Sequence, residues 1–183
     1  MPAFPKRYAD IVARLRVPCG FVMVGAFAWF SRPTVQWLAM GLPISLAGLA
    51  LRAWAAGCLA KNEELAVRGP YAYTRNPLYI GTLLVAAGLA IGSRSLGLGI
   101  LFALVFLVVY LPVIQIEEQH LRKLFPDYES YFSAVPQLWP RLTPVPRGKA
   151  GGFRWRLYLR NQEYQAAAGW AAGVAWLLWK ALA

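Results

Sequence analysis

Two short stretches of this sequence place polar groups beside hydrophobic segments, where an unused polar group is costly. Residues 69–81 read Gly-Pro-Tyr-Ala-Tyr-Thr-Arg-Asn-Pro-Leu-Tyr-Ile-Gly and lie between two apolar segments. The carboxylate pair Glu117-Glu118 lies just past the end of another. Carboxylates, a guanidinium and backbone donors beside an apolar slot are groups that bind a small molecule with charged ends. These residue types therefore indicate a ligand site at the border of the hydrophobic segments.

The two glutamates are expected to differ in role, because adjacent residues of a helix point about 100° apart. One of them can face a site while the other stays in solvent or pairs with a base. Glu118 has an ordinary surface alternative, an ion pair with Arg122 four residues later. Glu117 lies nearer the membrane end of its helix, where an unpaired carboxylate is costly. We therefore expect Glu117 to matter more than Glu118.

Arg75 has two interpretations. It is either a charged flank of the third hydrophobic segment that reaches the headgroups, or a partner for a ligand carboxylate or for Glu117. His120, the only histidine, is expected to be a solvated residue on a polar helix face.

Residues 58–77 are too polar for hydrocarbon and too aromatic for a solvated linker. Pro70 and Pro77 restrict Gly69 and Asn76 away from helical backbone angles. The backbone between them then has amides and carbonyls that need partners, and irregular backbone at membrane depth is tolerated where it lines a cavity. A bound cofactor would supply such partners.

The elements that position these groups are hydrophobic helices. Of the 183 residues, 58% are apolar and 15% are charged, and the apolar excess is concentrated in segments. A span needs about 20 apolar residues, and charged flanks let shorter segments reach the headgroups. The sequence predicts an all-α protein of about five transmembrane helices, at residues 17–30, 35–57, 78–92, 96–116 and 165–182.

The placement of the basic residues predicts the orientation of these helices. The net charge is +11, and basic residues cluster on alternate sides of the predicted spans. They are Lys6, Arg7, Arg14 and Arg16 before the first span; Arg32 after it; Lys61, Arg68 and Arg75 after the second; Arg94 after the third; and Arg122, Lys123, Arg141, Arg147, Lys149, Arg154, Arg156 and Arg160 after the fourth. The positive-inside rule then puts the N-terminus and both long polar segments in the cytoplasm. Charges that follow membrane sidedness indicate a lipid bilayer as partner and not nucleic acid.

Several local features follow from the same pattern. An interfacial N-terminal segment, residues 1–16, carries a short amphipathic helix before the first span. Residues 92–95 form a tight hairpin, and the fourth span continues past the membrane surface to carry Glu117 and Glu118. Arg52, inside the second span, is expected to extend its charge to the headgroups. Two isolated cysteines give no metal-ligand spacing, so no metal is predicted.

The spacing of these residues resembles a known family. Gly-x-Tyr, three residues, Arg-x-Pro-x-Tyr is present as Gly69, Tyr71, Arg75, Pro77 and Tyr79. The second half of the pattern is present as Glu117-Glu118, Leu121, Phe125, Tyr128, Tyr131 and Pro136. Over residues 48–141 the chain resembles the isoprenylcysteine carboxyl methyltransferase and phospholipid methyltransferase superfamily of membrane enzymes.

The resemblance implies S-adenosylmethionine as cofactor and a single methyltransferase domain over residues 1–183, with a cytoplasm-facing cofactor pocket. Carried over residue by residue, it implies cofactor contacts at Glu64, Leu65, Tyr71, Arg75, Asn76, Pro77, Tyr79, Glu117 and Glu118, with Arg75 and Glu117 catalytic. Asn76 stands where histidine is usual and cannot titrate. Residues 113–115 lack the arginine that holds substrate in the prenylcysteine enzymes, which argues against a prenylcysteine carboxylate.

The predicted function is methyl transfer to a lipophilic, lipidated or membrane-associated acceptor, a carboxylate, an amine or a thiol, at the cytoplasmic face. One alternative is an NADPH-dependent membrane reductase related to the sterol reductases, whose C-terminal half is similar. The other is a membrane subunit without enzymatic activity. Cofactor binding distinguishes all three.

Overall fold

The computed structural model describes residues 5–145 and 152–183, and within them every regular element is helical. The all-α prediction is therefore confirmed for the described residues. The helices are α1 (Lys6–Phe30), α2 (Val35–Gly57), a 3-10 turn (Gly69–Ala72), α3 (Pro77–Gly92), α4 (Leu96–Val105), a π-helical segment (Phe106–Tyr110), α5 (Leu111–Leu124), α6 (Tyr128–Ala134), α7 (Trp155–Arg160) and α8 (Tyr164–Leu182). Residues 1–4, Arg147 and Lys149, to which predictions were attached above, lie outside the described residues.

Two helical stretches among the described residues are long and apolar enough to cross a bilayer. They are Val35–Gly57 and the continuous run Leu96–Leu124, which joins α4, the π-helical segment and α5. Val17–Phe30 and Pro77–Gly92 are shorter apolar helices. The five predicted spans all fall on helices, but the count of five spans stays a prediction.

The N-terminal helix differs from its prediction in length. A short helix within residues 1–16 was expected before a separate first span, but α1 runs unbroken from Lys6 to Phe30 with Pro18 inside it. A proline removes one helical hydrogen bond without forcing a break where neighbouring helices hold the segment. Here α1 packs along α4 and the π-helical segment, and Val12 is buried. Tertiary packing has overridden the local stop signal.

The described residues divide into two compact units. Unit 1 comprises residues 5–43, 86–120 and 172–183, and unit 2 comprises residues 44–85, 121–145 and 152–171.

Unit 1 contains a hydrogen bond at the junction of the π-helical segment and α5. Pro112 has no amide hydrogen to donate to the carbonyl four residues back, which belongs to Val108. The hydroxyl of Tyr8 on α1 donates to that carbonyl at 2.7 Å. α1 thus supplies the donor that a residue of the helix itself cannot.

Close helix contacts in unit 1 depend on glycine and on one lysine. A Cβ added at Gly41 on α2 would lie 2.2 Å from the carbonyl oxygen of Gly88 on α3, so the backbones touch. The ammonium of Lys180 on α8 donates to the carbonyls of Ser31 at 2.7 Å and Ala28 at 3.1 Å. These contacts fix the C-terminal end of α1, whose last carbonyls have no helical partners.

Unit 2 contains an ion pair that corrects the prediction for Arg52. The guanidinium does not extend to the headgroups, because it is bound inside the unit. Its Nε and Nη2 donate to both carboxylate oxygens of Glu163, at 2.5 and 3.0 Å, and Nη1 donates to the hydroxyl of Thr82 at 2.5 Å. The Glu163 side chain is only 9% exposed. The pair therefore joins α2 and α3 to the turn that precedes α8.

Candidate functional site

The segment before α3 is held by the chain that follows α6. The hydroxyl of Tyr131 donates to the carbonyl of Tyr71 at 2.8 Å. The amides of Val145 and Arg141 donate to the carbonyls of Ala72 and Tyr73, each at 3.0 Å. These backbone groups were expected to need a cofactor as partner. That inference was wrong, because residues 131–145 of the same chain satisfy them.

Gly69 begins this segment in a conformation that requires glycine. Its φ is +57°, in the left-handed region, and an added Cβ would lie 2.8 Å from the Sγ of Cys58. Burial raises the pKa of the Cys58 thiol, and the nearby Arg154 guanidinium opposes that rise in part. A thiol with a raised pKa stays protonated at neutral pH, so Cys58 is not an activated nucleophile.

Arg75 is fixed at both its backbone and its side chain. Its amide donates to the carbonyl of Pro136 at 2.9 Å, and its Nη1 donates to the carbonyl of Phe132 at 2.9 Å. Its guanidinium carbon lies 3.9 Å from the centroid of the Phe132 ring. These contacts hold Arg75 in one orientation, and its role as a membrane flank or as a ligand partner stays a prediction. The side chain is oriented by α6, as a residue that binds a ligand would need to be.

A second guanidinium shares the same ring. The guanidinium carbon of Arg122 at the end of α5 lies 4.2 Å from the Phe132 centroid. Arg122 also lies 3.5 Å from a carboxylate oxygen of Glu129 on α6. Its predicted pairing with Glu118 stays a prediction. Phe132 was not identified from the sequence, because nothing in the spacing distinguishes it from the other aromatic residues nearby.

Asn76 and Pro77 start α3. The side-chain amide of Asn76 donates to the carbonyl of Gln137 at 3.2 Å, and its own carbonyl accepts from the amides of Tyr79 and Ile80. Pro77 is the first residue of the helix, a position where the missing amide costs nothing. Tyr79 lies half-buried on the first turn. Asn76 thus connects the helix start to the chain after α6.

Glu64 and Leu65, in the loop after α2, each contact another part of unit 2. The Glu64 carboxylate, 59% exposed, forms an ion pair with Arg154. The Leu65 side chain packs against the buried cluster of Tyr128, Tyr131 and Val135. Both contacts hold the loop in place, and the predicted cofactor contacts at these two residues stay predictions.

The two glutamates on α5 differ in burial, but in the opposite order from the one expected. Glu118 is only 8% exposed, while Glu117 is exposed. Gln115 lies three residues before Glu118 and therefore on the same side of the helix. Its side-chain oxygen is buried and has no hydrogen-bond partner among the described residues. The polar groups of α5 that are withdrawn from solvent are thus Gln115 and Glu118, and Gln115 had been noticed only as a missing arginine.

Comparison with known proteins identifies the family. A family model described as phospholipid methyltransferase matches residues 35–128, half of the chain, and this range includes both Arg75 and the glutamate pair. The chain belongs to the phospholipid methyltransferase family. The resemblance inferred from the spacing of Gly69, Tyr71, Arg75, Pro77 and Tyr79 is therefore confirmed.

Two curated relatives are about 30% identical to the chain. The cobalt-zinc-cadmium resistance protein CzcN of Cupriavidus metallidurans is 30% identical over 168 residues, which is 87% of this chain and 76% of that protein. The nickel-cobalt-cadmium resistance protein NccN of Alcaligenes xylosoxydans xylosoxydans is 29% identical over 135 residues, which is 70% of this chain and 63% of that protein. No solved structure matches the chain.

Proposed function

We propose that the protein transfers a methyl group from S-adenosylmethionine to a lipophilic or membrane-associated acceptor at the cytoplasmic face of a membrane. The family match over residues 35–128 carries this proposal, since it places the chain among methyltransferases. Nothing in the comparisons favours the reductase alternative. The acceptor atom in this proposal is a carboxylate oxygen, an amine nitrogen or a thiol sulfur.

The residues present fit the cofactor by their chemistry. A guanidinium held in one orientation, that of Arg75, suits a carboxylate. The buried carboxylate of Glu118 and the buried side-chain oxygen of Gln115 are acceptors that suit amino and hydroxyl donors. An unsatisfied acceptor inside a protein is costly, so a ligand donor at Gln115 would be favourable. These three groups support the proposed assignment.

The assigned residues would act by binding and orientation. When bound, the cofactor supplies a methyl group on a positively charged sulfur, open to in-line displacement. Arg75 would hold a carboxylate of the ligand, while Tyr71, Pro77 and Tyr79 supply apolar surface that excludes water. Because Asn76 cannot titrate, the acceptor is either already nucleophilic when it binds or is deprotonated by another residue.

The membrane arrangement is also part of the proposal. We propose five transmembrane helices with the N-terminus and the loop at residues 58–77 in the cytoplasm, supported by the alternation of basic residues. Cysteines introduced at Asn62 and Ser133, in a variant without Cys19 and Cys58, should both react with an impermeant label from the cytoplasmic side. Labelling of the two positions from opposite sides would overturn this topology.

The activity is tested by calorimetric titration of the detergent-purified protein with S-adenosylhomocysteine. We expect binding that is weakened at least about tenfold in Glu118→Gln, because a charge-assisted hydrogen bond contributes about 1.5–3 kcal/mol. Glu117→Gln, at the exposed neighbour, is the matched control and should bind nearly as the wild type does. Binding of NADPH, and not of S-adenosylhomocysteine, in the same titration would support the reductase alternative. Binding of neither molecule would support a non-enzymatic subunit.

The names of the two relatives add a physiological proposal, that this methyl transfer contributes to resistance against divalent metal ions. Its support is the 30% identity with a cobalt-zinc-cadmium resistance protein. Expression of the wild type in a metal-sensitive host should raise the cobalt concentration that stops growth, and Glu118→Gln should not. Equal growth with both proteins would remove the link between methyl transfer and resistance.

A further inference from the structure

The segment around α7 is fixed to the C-terminal end of α2. The amide of Arg154 donates to the carbonyl of Gly57 at 2.8 Å. The side-chain amide of Asn161 donates to the carbonyls of Ala56 and Leu59, each at 2.9 Å. Ala56 and Gly57 belong to the last turn of α2, where carbonyls lack regular helical partners, and Leu59 lies two residues beyond the helix. α2 is one of the two described helices apolar enough to cross a bilayer, so in the proposed membrane arrangement α7 lies where that helix leaves the hydrocarbon.

The outer face of this segment is apolar and aromatic, although it is not part of a span. Trp155 is 62% exposed, Leu159 47% and Phe153 44%, whereas Leu157 is buried against the unit. The Trp155 ring stacks on Tyr158 with a centroid distance of 4.8 Å. The exposed side chains therefore form one surface on a fixed support, defined here as the α7 face: Phe153, Trp155, Arg156 and Leu159.

The charge of the α7 face is positive. The arginines on either side of Arg156 are each used in an ion pair, Arg154 with Glu64 and Arg160 with Glu63. Arg156 is exposed and has no acidic partner among the described residues. A single free guanidinium thus lies among exposed aromatic and aliphatic groups.

We propose that the α7 face binds the headgroups of anionic phospholipids, with Arg156 on a phosphate and Trp155, Phe153 and Leu159 in the upper acyl region. Tryptophan is enriched at the level of the headgroups, and an arginine near an anionic surface gains binding free energy from it. The position at the end of α2 and the charge complementarity select a lipid surface over a protein partner. The inference rests on the proposed membrane embedding, but not on methyl transfer.

The lipid dependence of thermal stability tests the role of Arg156. The detergent-purified full chain is titrated with phosphatidylglycerol or with phosphatidylcholine, and the melting temperature is followed. We expect phosphatidylglycerol to stabilise the protein, and Arg156→Gln to need about fivefold more of it for the same shift, as for the loss of one arginine near an anionic surface. Arg94→Gln, which removes an exposed arginine in the hairpin between α3 and α4, is the matched control and should respond as the wild type does. Equal effects of the two lipids, or of the two substitutions, would overturn the proposal.

Fluorescence quenching tests the depth of Trp155. The protein is reconstituted in vesicles of phosphatidylcholine and phosphatidylglycerol brominated on the upper acyl carbons. The wild type should lose a larger fraction of its emission than Trp155→Phe, because bromine quenches a tryptophan that it contacts. Equal fractional quenching would place Trp155 outside the bilayer and refute the α7 face as a lipid surface. The α7 face would also be refuted as a lipid surface if the wild type were a dimer that Trp155→Phe dissociates. Binding of S-adenosylhomocysteine in detergent should be unchanged in Arg156→Gln and Trp155→Phe, so failure of this inference and failure of the methyltransferase proposal are separate results.

Discussion

The ion pair between Arg52 and Glu163 gives the sharpest prediction about stability. Glu163→Gln keeps the shape of the side chain but leaves the guanidinium of Arg52 without its charge partner. The two side chains are 23% and 9% exposed, so water replaces only part of the lost interaction. Breaking a buried pair by removing one partner costs about 3–5 kcal/mol, and the residual exposure of Arg52 lowers that figure. We expect Glu163→Gln to reduce the free energy of unfolding by about 2–4 kcal/mol.

The measurement is unfolding by dodecyl sulfate in mixed micelles, followed by far-ultraviolet circular dichroism. Glu129→Gln provides the matched control, because its pair with Arg122 is longer, 3.5 Å, and the two side chains are 43% and 69% exposed. An exposed pair of this kind contributes less than about 1 kcal/mol. The double variant Arg52→Met/Glu163→Met should be more stable than Glu163→Gln, since it buries no unpaired charge. If Glu163→Gln costs no more than Glu129→Gln, the pair is not buried as described and the reasoning is wrong.

Three further predictions follow from single contacts. Tyr8→Phe should cost about 1–3 kcal/mol by removing the donor to a carbonyl that Pro112 cannot serve, and the cost should shrink in a Pro112→Ala background, measured by the same unfolding assay. Gly41→Ala should cost about 1–3 kcal/mol, because its Cβ would meet backbone, while Gly173→Ala on α8, with nothing within 4 Å, should be neutral or slightly stabilising. Phe132→Leu should weaken binding of S-adenosylhomocysteine up to about fivefold, since the ring that orients the key arginine contributes about 0.5–1 kcal/mol; unchanged affinity would contradict its positioning role.

The helices were predictable because each rests on a local signal. The hairpin at residues 92–95 follows from glycine and serine between two apolar segments, and the structure has α3 end at Gly92 and α4 begin at Leu96. The extension of the fourth segment into an amphipathic helix is also confirmed, since α5 ends at Leu124 before a proline. Periodicity and turn residues act within a few positions, so they can be read without knowing the fold.

The partners of the charged residues were not predictable from local signals. Arg52 and Glu163 are separated by 111 residues, and nothing in the sequence couples them. The same holds for Arg75, whose guanidinium donates to the carbonyl of Phe132, 57 residues away. The position of Arg75 in the sequence fits a membrane flank equally well. A charge in an apolar segment indicates only that some partner exists. Which partner it is depends on tertiary packing.

The order of burial of the two glutamates follows from a feature about two turns earlier in the same helix. The continuous helix from Leu96 to Leu124 contains the π-helical segment Phe106–Tyr110, in which the amide of Leu111 donates to the carbonyl of Phe106, five residues back. A π-helical turn holds one more residue than a regular α-helical count allows, so the register beyond it shifts by about one residue, or about 100°. That is the angle between Glu117 and its neighbour. Regular α-helical spacing, counted through the apolar segment, would therefore put Glu117 at the position on the helix face that Glu118 occupies.

The shift also explains which other polar side chain faces inward. Gln115 lies three residues before Glu118, and both are withdrawn from solvent, whereas Glu117 is exposed. Proximity to the membrane end favoured Glu117, but the phase of the helix favours Glu118, and phase decides which groups a ligand could meet. π-Helical turns are frequent at functional sites, where they redirect side chains. If cofactor binding falls in Glu118→Gln and not in Glu117→Gln, then the π-helical segment determines which of the two glutamates binds the cofactor in this chain.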